Sequence, residues 1–357
     1  MMRNADREKV SAKGRRRATT LEEVARAAGV STATVSRVVN GNPRVGREVR
    51  DLVEAAIRRL GYFPNRSARS LATRRSDTVA FAVLEHPSRL FGDPYFPGIV
   101  AGVVEVLDAS DLELVLHIPQ SAAARDRLAG SLSAGSVGGV LVFGHHREDT
   151  LPRDLRRQGI PLVLAGRPLA DEEMSYIDVD NIGGGRAATA HLLDGGRRVV
   201  GTVAGPQDAF WGIDRLAGYR AARVERGLAP DESLVEVSDF TVECGREAML
   251  RLLRRRPDLD AVFAASEDLA LGALAALRSA GRGVPDDVAI VGFDDLPSSM
   301  AADPPLSSVR QPAELLGREM ASMLLAQIAA PTWTDRHLVL GTELVVRRSS
   351  APASPKA

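Results

Sequence analysis

A single cysteine, Cys244, is all that 357 residues provide. An intramolecular disulfide is excluded, and no second Cys or nearby His makes a metal or redox spacing, so the thiol reads as inert. Such sparing use suits a reducing cytoplasm. Also lacking is any apolar run of membrane-spanning length, and no apolar segment follows the arginine-rich N-terminus. Neither an anchor nor a signal peptide is therefore expected. Net charge is missing as well, with 46 basic residues against 46 acidic ones. That zero hides an asymmetry. Residues 1–75 hold 18 Lys and Arg against 7 Asp and Glu, whereas the remainder holds 28 against 39. A basic head on an acidic body implies a negatively charged partner for the head alone; nucleic acid and an acidic membrane surface both satisfy it.

What is present divides by its punctuation, and the length allows two or three domains with sizeable cores. Residues 1–18 ("NADREKVSAKGRRR") are polar, basic and without hydrophobic period, which predicts a disordered tail. Three helices are expected between 19 and 64. In "TLEEVARAAG", Thr20 and Glu23 have capping-box spacing, and Gly29 ends the helix. "GVSTATVSRVVNG" places Val30, Val35, Val38 and Val39 on one face, with Ser31 as cap and Asn40-Gly41 as stop. "NPRVGREVRDLVEAAIRRLGY" gives a third helix with Val49, Leu52, Val53, Ala56, Ile57 and Leu60 inward, halted by Pro64. Two helices joined by a tight glycine turn, with a third across them, make a helix-turn-helix.

In that motif the second helix enters the DNA major groove. Its outer face offers Thr32, Ala33, Thr34, Ser36 and Arg37. Small hydroxyl and methyl groups permit close approach to bases, and an arginine reaches guanine acceptors. The basic segment 65–76 follows, where Asn65 can cap a short helix containing Ala68 and Leu71. It reads as a linker or as a minor-groove helix whose leucine pries open a base step.

From residue 77 onward, strand-like runs ("TVAFAVL", "LELVLHI", "VGGVLVFG", "IPLVLAG", "SYIDVD", "RVVGTVAG", "AVFAA", "DVAIVGF") alternate with helical stretches. Alternation of this kind predicts parallel sheets with ligand beyond the strands' carboxyl ends. The consecutive glycines of "NIGGGRAATA" do not give a dinucleotide-binding spacing; they read as a helix start packed near an interdomain crossover. Asp294-Asp295, Arg215, Trp211 and Phe240 stand at strand ends or beside them. No nucleophile–base pair accompanies the carboxylates, so sugar binding, with rings stacked on aromatics and hydroxyls bonded to Asp and Arg, explains them better than catalysis. His86, His145 and His146 lack a completing cluster and are expected at a pocket rim or surface, not on a metal.

The chain resembles the lactose/galactose repressor family of bacterial transcription regulators. "TLEEVARAAGVSTATVSRVVNGNPRV", "LGYFPNRSARSL", "IDVDNIGGGRAATAHLLDGG", "RLAGYRAA", "VPDDVAIVGFDDLP" and "PPLSSVRQP" carry the likeness, in order, from about Thr19 to Ser349. The resemblance implies an N-terminal all-α helix-turn-helix head and an α/β body like periplasmic sugar-binding proteins. That body comprises two doubly wound parallel-sheet subdomains over 77–349, divided near 175, with crossovers near 300–345 and a disordered tail over 350–357. It further implies that Thr32, Ala33 and Arg37 face bases, while Ser31, Thr34, Ser36 and Asn40 hold phosphates or the groove wall. Arg44 adds a base or backbone contact, and Tyr62 and Asn65 touch the backbone beside the hinge. Ala68 and Leu71 sit in the minor groove of a palindromic operator, in a hinge that folds when paired in a homodimer. For the effector, the family positions are Asp93, Phe96, Arg167, Arg215, Phe240, Asp294 and Gln311. Ser266-Glu267 stands where many members have Asn-Asp, a departure that bears on ligand identity.

The implied protein is a cytoplasmic, dimeric repressor without cofactor, its operator affinity set by a sugar acting as inducer or corepressor. Two other classes fit parts of the chain. A sugar-active enzyme with a DNA-binding head would need a catalytic constellation, and a sequence-independent architectural protein leaves the ligand-type body unexplained.

Overall fold

The computed structural model describes residues 19–39, 42–62, 76–87, 90, 94–132, 136–169 and 173–351. Two compact units, 1–75 and 76–357, divide the chain. In the first, α1 (Leu21–Ala28), α2 (Thr32–Val39) and α3 (Arg47–Leu60) enclose a core of Val24, Val35, Val38, Val53, Ala56 and Tyr62. The capping box is formed: the Thr20 hydroxyl accepts from the Glu23 amide, and the Glu23 carboxylate accepts from the Thr20 amide. Ser31 caps α2 by accepting from the Thr34 amide. Two expectations fail on α3. Leu52 is 57% exposed rather than inward, because the seam runs through Val53, Ala56, Ile57 and Leu60 and leaves it one residue off the stripe. Helix α3 is also stopped at Gly61, in the left-handed region at φ 59°, before Pro64 is reached. Pro64, Asn65, Ala68 and Leu71, like Asn40, lie outside the described residues.

The second unit begins with β1 (Thr78–Val83), α4 (Tyr95–Asp108), β2 (Glu113–His117), α5 (Ala122–Ser131), β3 (Gly139–Phe143), α6 (Leu151–Arg157), β4 (Leu162–Ala165) and β5 (Tyr176–Val179). It continues through α7 (Asn181–Asp194), β6 (Val200–Ala204), α8 (Phe210–Glu225), β7 (Val235–Val237), α9 (Val242–Arg255), β8 (Ala261–Ala264), α10 (Glu267–Ser279) and β9 (Ala289–Asp294). α11 (Pro297–Ala301), β10 (Ser307–Arg310), α12 (Ala313–Ala329), β11 (His337–Leu340) and β12 (Glu343–Val345) complete it. One sheet runs β11-β5-β4-β3-β1-β2, every pair parallel. The other runs β12-β10-β9-β8-β6-β7, parallel apart from the β10–β12 pair.

Every strand read from the sequence is present. The subdomain division falls just after β5, which ends at Val179, close to the expected boundary near 175. Two further crossings lie between β10 and α12, whose Leu316, Met320 and Leu324 pack into the first subdomain, and between β11 and β12. The ordered body also reaches past 349, since buried Ser350 bonds His191 Nε2 at 2.8 Å and Ser307 Oγ at 2.7 Å.

Three helix pairs close on glycines. A methyl at Gly102 of α4 would collide with the Glu314 carbonyl of α12, and one at Gly317 with the Ile99 carbonyl. Gly185 and Gly218 do the same for α7 and α8, as do Gly245 and Gly272 for α9 and α10. Backbone-to-backbone approach leaves no slack for an added carbon. Gly102→Ala should therefore lower unfolding free energy by roughly 1–3 kcal/mol. Gly130→Ala, on an exposed turn of α5 with open space around it, should be neutral or slightly stabilising. Urea titrations of the full chain compare them.

Candidate effector cavity and reading helix

On α2, Thr32, Ala33 and Arg37 are exposed opposite the buried Val35 and Val38. Ser31 is exposed too, its hydroxyl 2.9 Å from that of Thr34, while Thr34 and Ser36 are half-buried. Arg44 is exposed in the next loop, its amide donating to Asn42 Oδ1. Tyr62 behaves differently: its ring is buried in the head core, where desolvation raises its phenol pKa.

In the body, a cavity of about 860 Å³, mouth included, opens between the carboxyl ends of both sheets. Of the residues expected there, Phe96, Trp211, Arg215, Phe240, Ser266, Asp294 and Gln311 line it; Asp93 lies outside the described residues. Tyr95 lines it beside Phe96, and Glu85, Phe143, Asp178, Asn181, Phe210 and Asp268 also line it and went unanticipated. Asp178 and Asn181 were within reach of the strand-end rule, since "IDVDN" closes β5. Its aromatic wall is built by contacts between rings. Phe96 and Phe143 centroids lie 5.2 Å apart, and Phe210 and Trp211 meet edge-on at 4.7 Å. Trp211 Nε1 is buried without a hydrogen-bond partner among the described residues, a donor facing the cost of desolvation unless something supplies an acceptor.

Arg215 anchors the polar wall. Its Nε donates to Asn181 Oδ1 at 2.8 Å, and Nη1 donates to the Ala265 carbonyl at 2.6 Å and to Asp294 Oδ1 at 3.4 Å. The guanidinium carbon sits 3.7 Å from the Phe293 ring centroid. Asp294 holds a left-handed backbone at φ 101° and accepts further from Gln311 Nε2 and the Glu267 amide. Burial pushes the Asp178 carboxyl up to about 6, against the amides of Val179 and Arg167 that stabilise its anion.

Two expected positions turn away. Arg167 makes a bidentate pair with Asp214, at 2.8 and 2.6 Å, instead of entering the cavity. Glu267 points to Ser298 and Ser299, whose hydroxyls donate to it, and Asp268 lines the wall in its stead. His145 is likewise neither rim nor surface. It is buried, stacked on Phe210 with Nε2 3.1 Å from the Arg167 carbonyl oxygen, and desolvation lowers its pKa to about 4. His86 is exposed, whereas half-buried His146 lies between Glu85 and Asp208.

Burial raises the Glu267 carboxyl to about 7 despite the serine hydroxyls. A folded pKa above the unfolded value near 4.3 means the native state binds the extra proton, so this group's stabilisation is complete at low pH. It is lost as pH rises through about 7. Glu267→Gln should therefore flatten the fall in stability between pH 5 and 8 and gain most at pH 8, in thermal melts across that range.

The family model described as bacterial regulatory proteins, lacI family, matches residues 20–65, and that of a periplasmic binding protein-like domain matches 189–350. The HTH-type transcriptional regulator CelR of Thermobifida fusca is 50% identical over 337 residues, 94% of this chain and 99% of that protein. The ribose operon repressor of Escherichia coli K12 is 31% identical over 334 residues, 93% and 99% of the two chains. Among solved structures, a CelR–cellobiose complex matches with TM-score 0.75 at 48% identity, covering 93% of this chain and 99% of that one. The lac repressor dimer bound to operator and the anti-inducer ONPF matches with TM-score 0.82 at 26% identity, covering 94% and 100%. Head, body and likeness along nearly the whole length together make this chain a member of the lacI family of bacterial regulatory proteins, a helix-turn-helix transcription regulator.

Proposed function

We propose that the protein is a cytoplasmic homodimeric repressor of a palindromic operator, released by an uncharged disaccharide of the cellobiose type bound between the two body subdomains. The observation that carries this reading is the cavity: aromatic rings with an unpartnered indole N–H on one side, and Arg215, Asn181, Asp294 and Gln311 on the other. Rings stack on sugar faces and fixed polar groups bond hydroxyls. Support for the particular sugar comes from the 48% identity to a regulator solved with cellobiose. Glu85, Asp178, Asp268 and Asp294 line the cavity with Arg215 as the guanidinium among its described lining, a balance that disfavours an anionic ligand. The chain performs no chemistry in this reading: Asp294 is held by Arg215, Gln311 and the Glu267 amide, and Asp178 by the amides of Val179 and Arg167. No described helix is long and apolar enough to cross a membrane.

Coupling follows from linkage. Ligand shifts operator affinity only by preferring one arrangement of the body over another. On the DNA side, Thr32, Ala33 and Arg37 would meet bases while Ser31, Thr34, Ser36 and Arg44 position the helix. Asn40, Asn65, Ala68 and Leu71 would complete the operator contacts.

The full chain, on an operator selected from random duplexes, should be released by cellobiose and not by cellobionate, read by fluorescence anisotropy. Arg215→Ala or Asp294→Ala should remain bound at every cellobiose concentration while folding normally by circular dichroism. Cellobiose binding that leaves the complex untouched would overturn the reading. Arg37→Ala should cost roughly 1–3 kcal/mol on operator and relax discrimination at one base pair. Equal loss on scrambled DNA would reduce Arg37 to a phosphate contact.

A further inference from the structure

Loops at the carboxyl ends of β3 and β4, in the first subdomain, grip the start of α8, in the second. Arg167 holds Asp214 through two short bonds, and Asp214, 7% exposed, accepts both of them from that one guanidinium. Beside them the Arg147 amide donates to the Asp208 carbonyl at 2.8 Å, and His146 Nδ1 lies 3.1 Å from Asp208 Oδ2. His145 stacks on Phe210, ring centroids 5.6 Å apart, and its Nε2 contacts the Arg167 carbonyl oxygen. Each partner is one residue from the cavity wall: Gly166 precedes Arg167, and Arg215 follows Asp214. Gly166 sits at φ 92° where any side chain would strike the Phe210 ring, so the two walls meet there without a spacer.

The geometry points to Arg167 and Asp214 as positioning residues for ligand: a latch, outside the cavity, that fixes how tightly the two walls close on it. Parting the subdomains breaks a bidentate, partly buried pair and takes the guanidinium away from the Asp214 carboxylate, so the pair contributes only when the cleft is closed. Charge-assisted pairs of this geometry are the strong ones. Because ligand touches both walls, closure free energy lost from the latch is lost from ligand affinity. Nothing in this requires either side chain to contact the ligand.

The inference rests on the cellobiose-type reading for its affinity arm and stands apart from it in a second arm. Isothermal titration with cellobiose should give roughly ten-fold weaker binding for Arg167→Ala and for Asp214→Asn, and no further loss in the double variant. The charge-swapped pair, Arg167→Asp with Asp214→Arg, should recover most of it, which general damage to the fold would not allow. The second arm uses hydrogen exchange of the full chain without sugar. The Arg147 amide, bonded across the cleft, should exchange several-fold faster in Arg167→Ala and return in the swapped pair, while β2 amides stay unchanged. Arg167→Lys, which keeps the charge but not the fork, should fall between, and serves where Arg167→Ala misfolds. If wild-type protein ignores cellobiose, the sugar reading fails and exchange alone decides the latch. Unaltered Arg147 exchange in Arg167→Ala, or a swapped pair no better than either single variant, overturns it.

Discussion

A buried guanidinium in the cavity's polar wall holds the ligand site in shape. Arg215 leaves α8, crosses over the Phe293 ring, and bonds the start of α7, the carboxyl end of β8 and the carboxylate that ends β9. A charge so far from water is tolerable only when its donors are taken up and an opposite charge lies close. That requirement explains the company it keeps. Asp294 supplies the countercharge from a left-handed backbone, and Gln311 and the Glu267 amide share its remaining lone pairs. Three helices and two strands are thereby indexed to one side chain, and the polar wall follows from that indexing.

Around this point the body is assembled with little tolerance. The three glycine-paired helix contacts bring backbones together on both subdomains, and the central strands β1, β3, β4, β6, β8 and β9 are buried on both faces, as covered parallel sheets require. Rigid halves suit a molecule that must convert a small ligand's contacts into displacement, because halves that yielded internally would absorb the motion.

The fold was largely legible because its determinants are local. The Thr20–Glu23 box, the glycine stop at Gly29 and the β-branched runs each specify their element within a few residues. What failed depended on rotation or on distant partners. Leu52 and Glu267 each sit one helical step from the position assigned, and a step turns a side chain through about 100°. At the start of α10 that rotation exchanges Glu267 for Asp268 at the cavity. Arg167 was placed at the right strand end, but its partner lies 47 residues onward in another subdomain, and no periodicity encodes that. Phe210, Asp178 and Asn181 went unassigned although their neighbours Trp211 and β5 were read correctly, because orientation at a strand end is set by the packing behind it.

The chain passes between the subdomains three times: after β5, after β10 and between β11 and β12. Two of these passages are stitched side by side, for the Asp180 amide donates to the Leu340 carbonyl and the Thr342 hydroxyl to that of Asp180. One connecting strand would swivel freely about its own bonds. Three abreast behave like a strap, which folds across its width but resists wringing, because twisting must stretch one edge while slackening another. The strap therefore selects a single direction of movement before any ligand arrives, and whatever enters the cavity can change how far the halves travel but not the path they take.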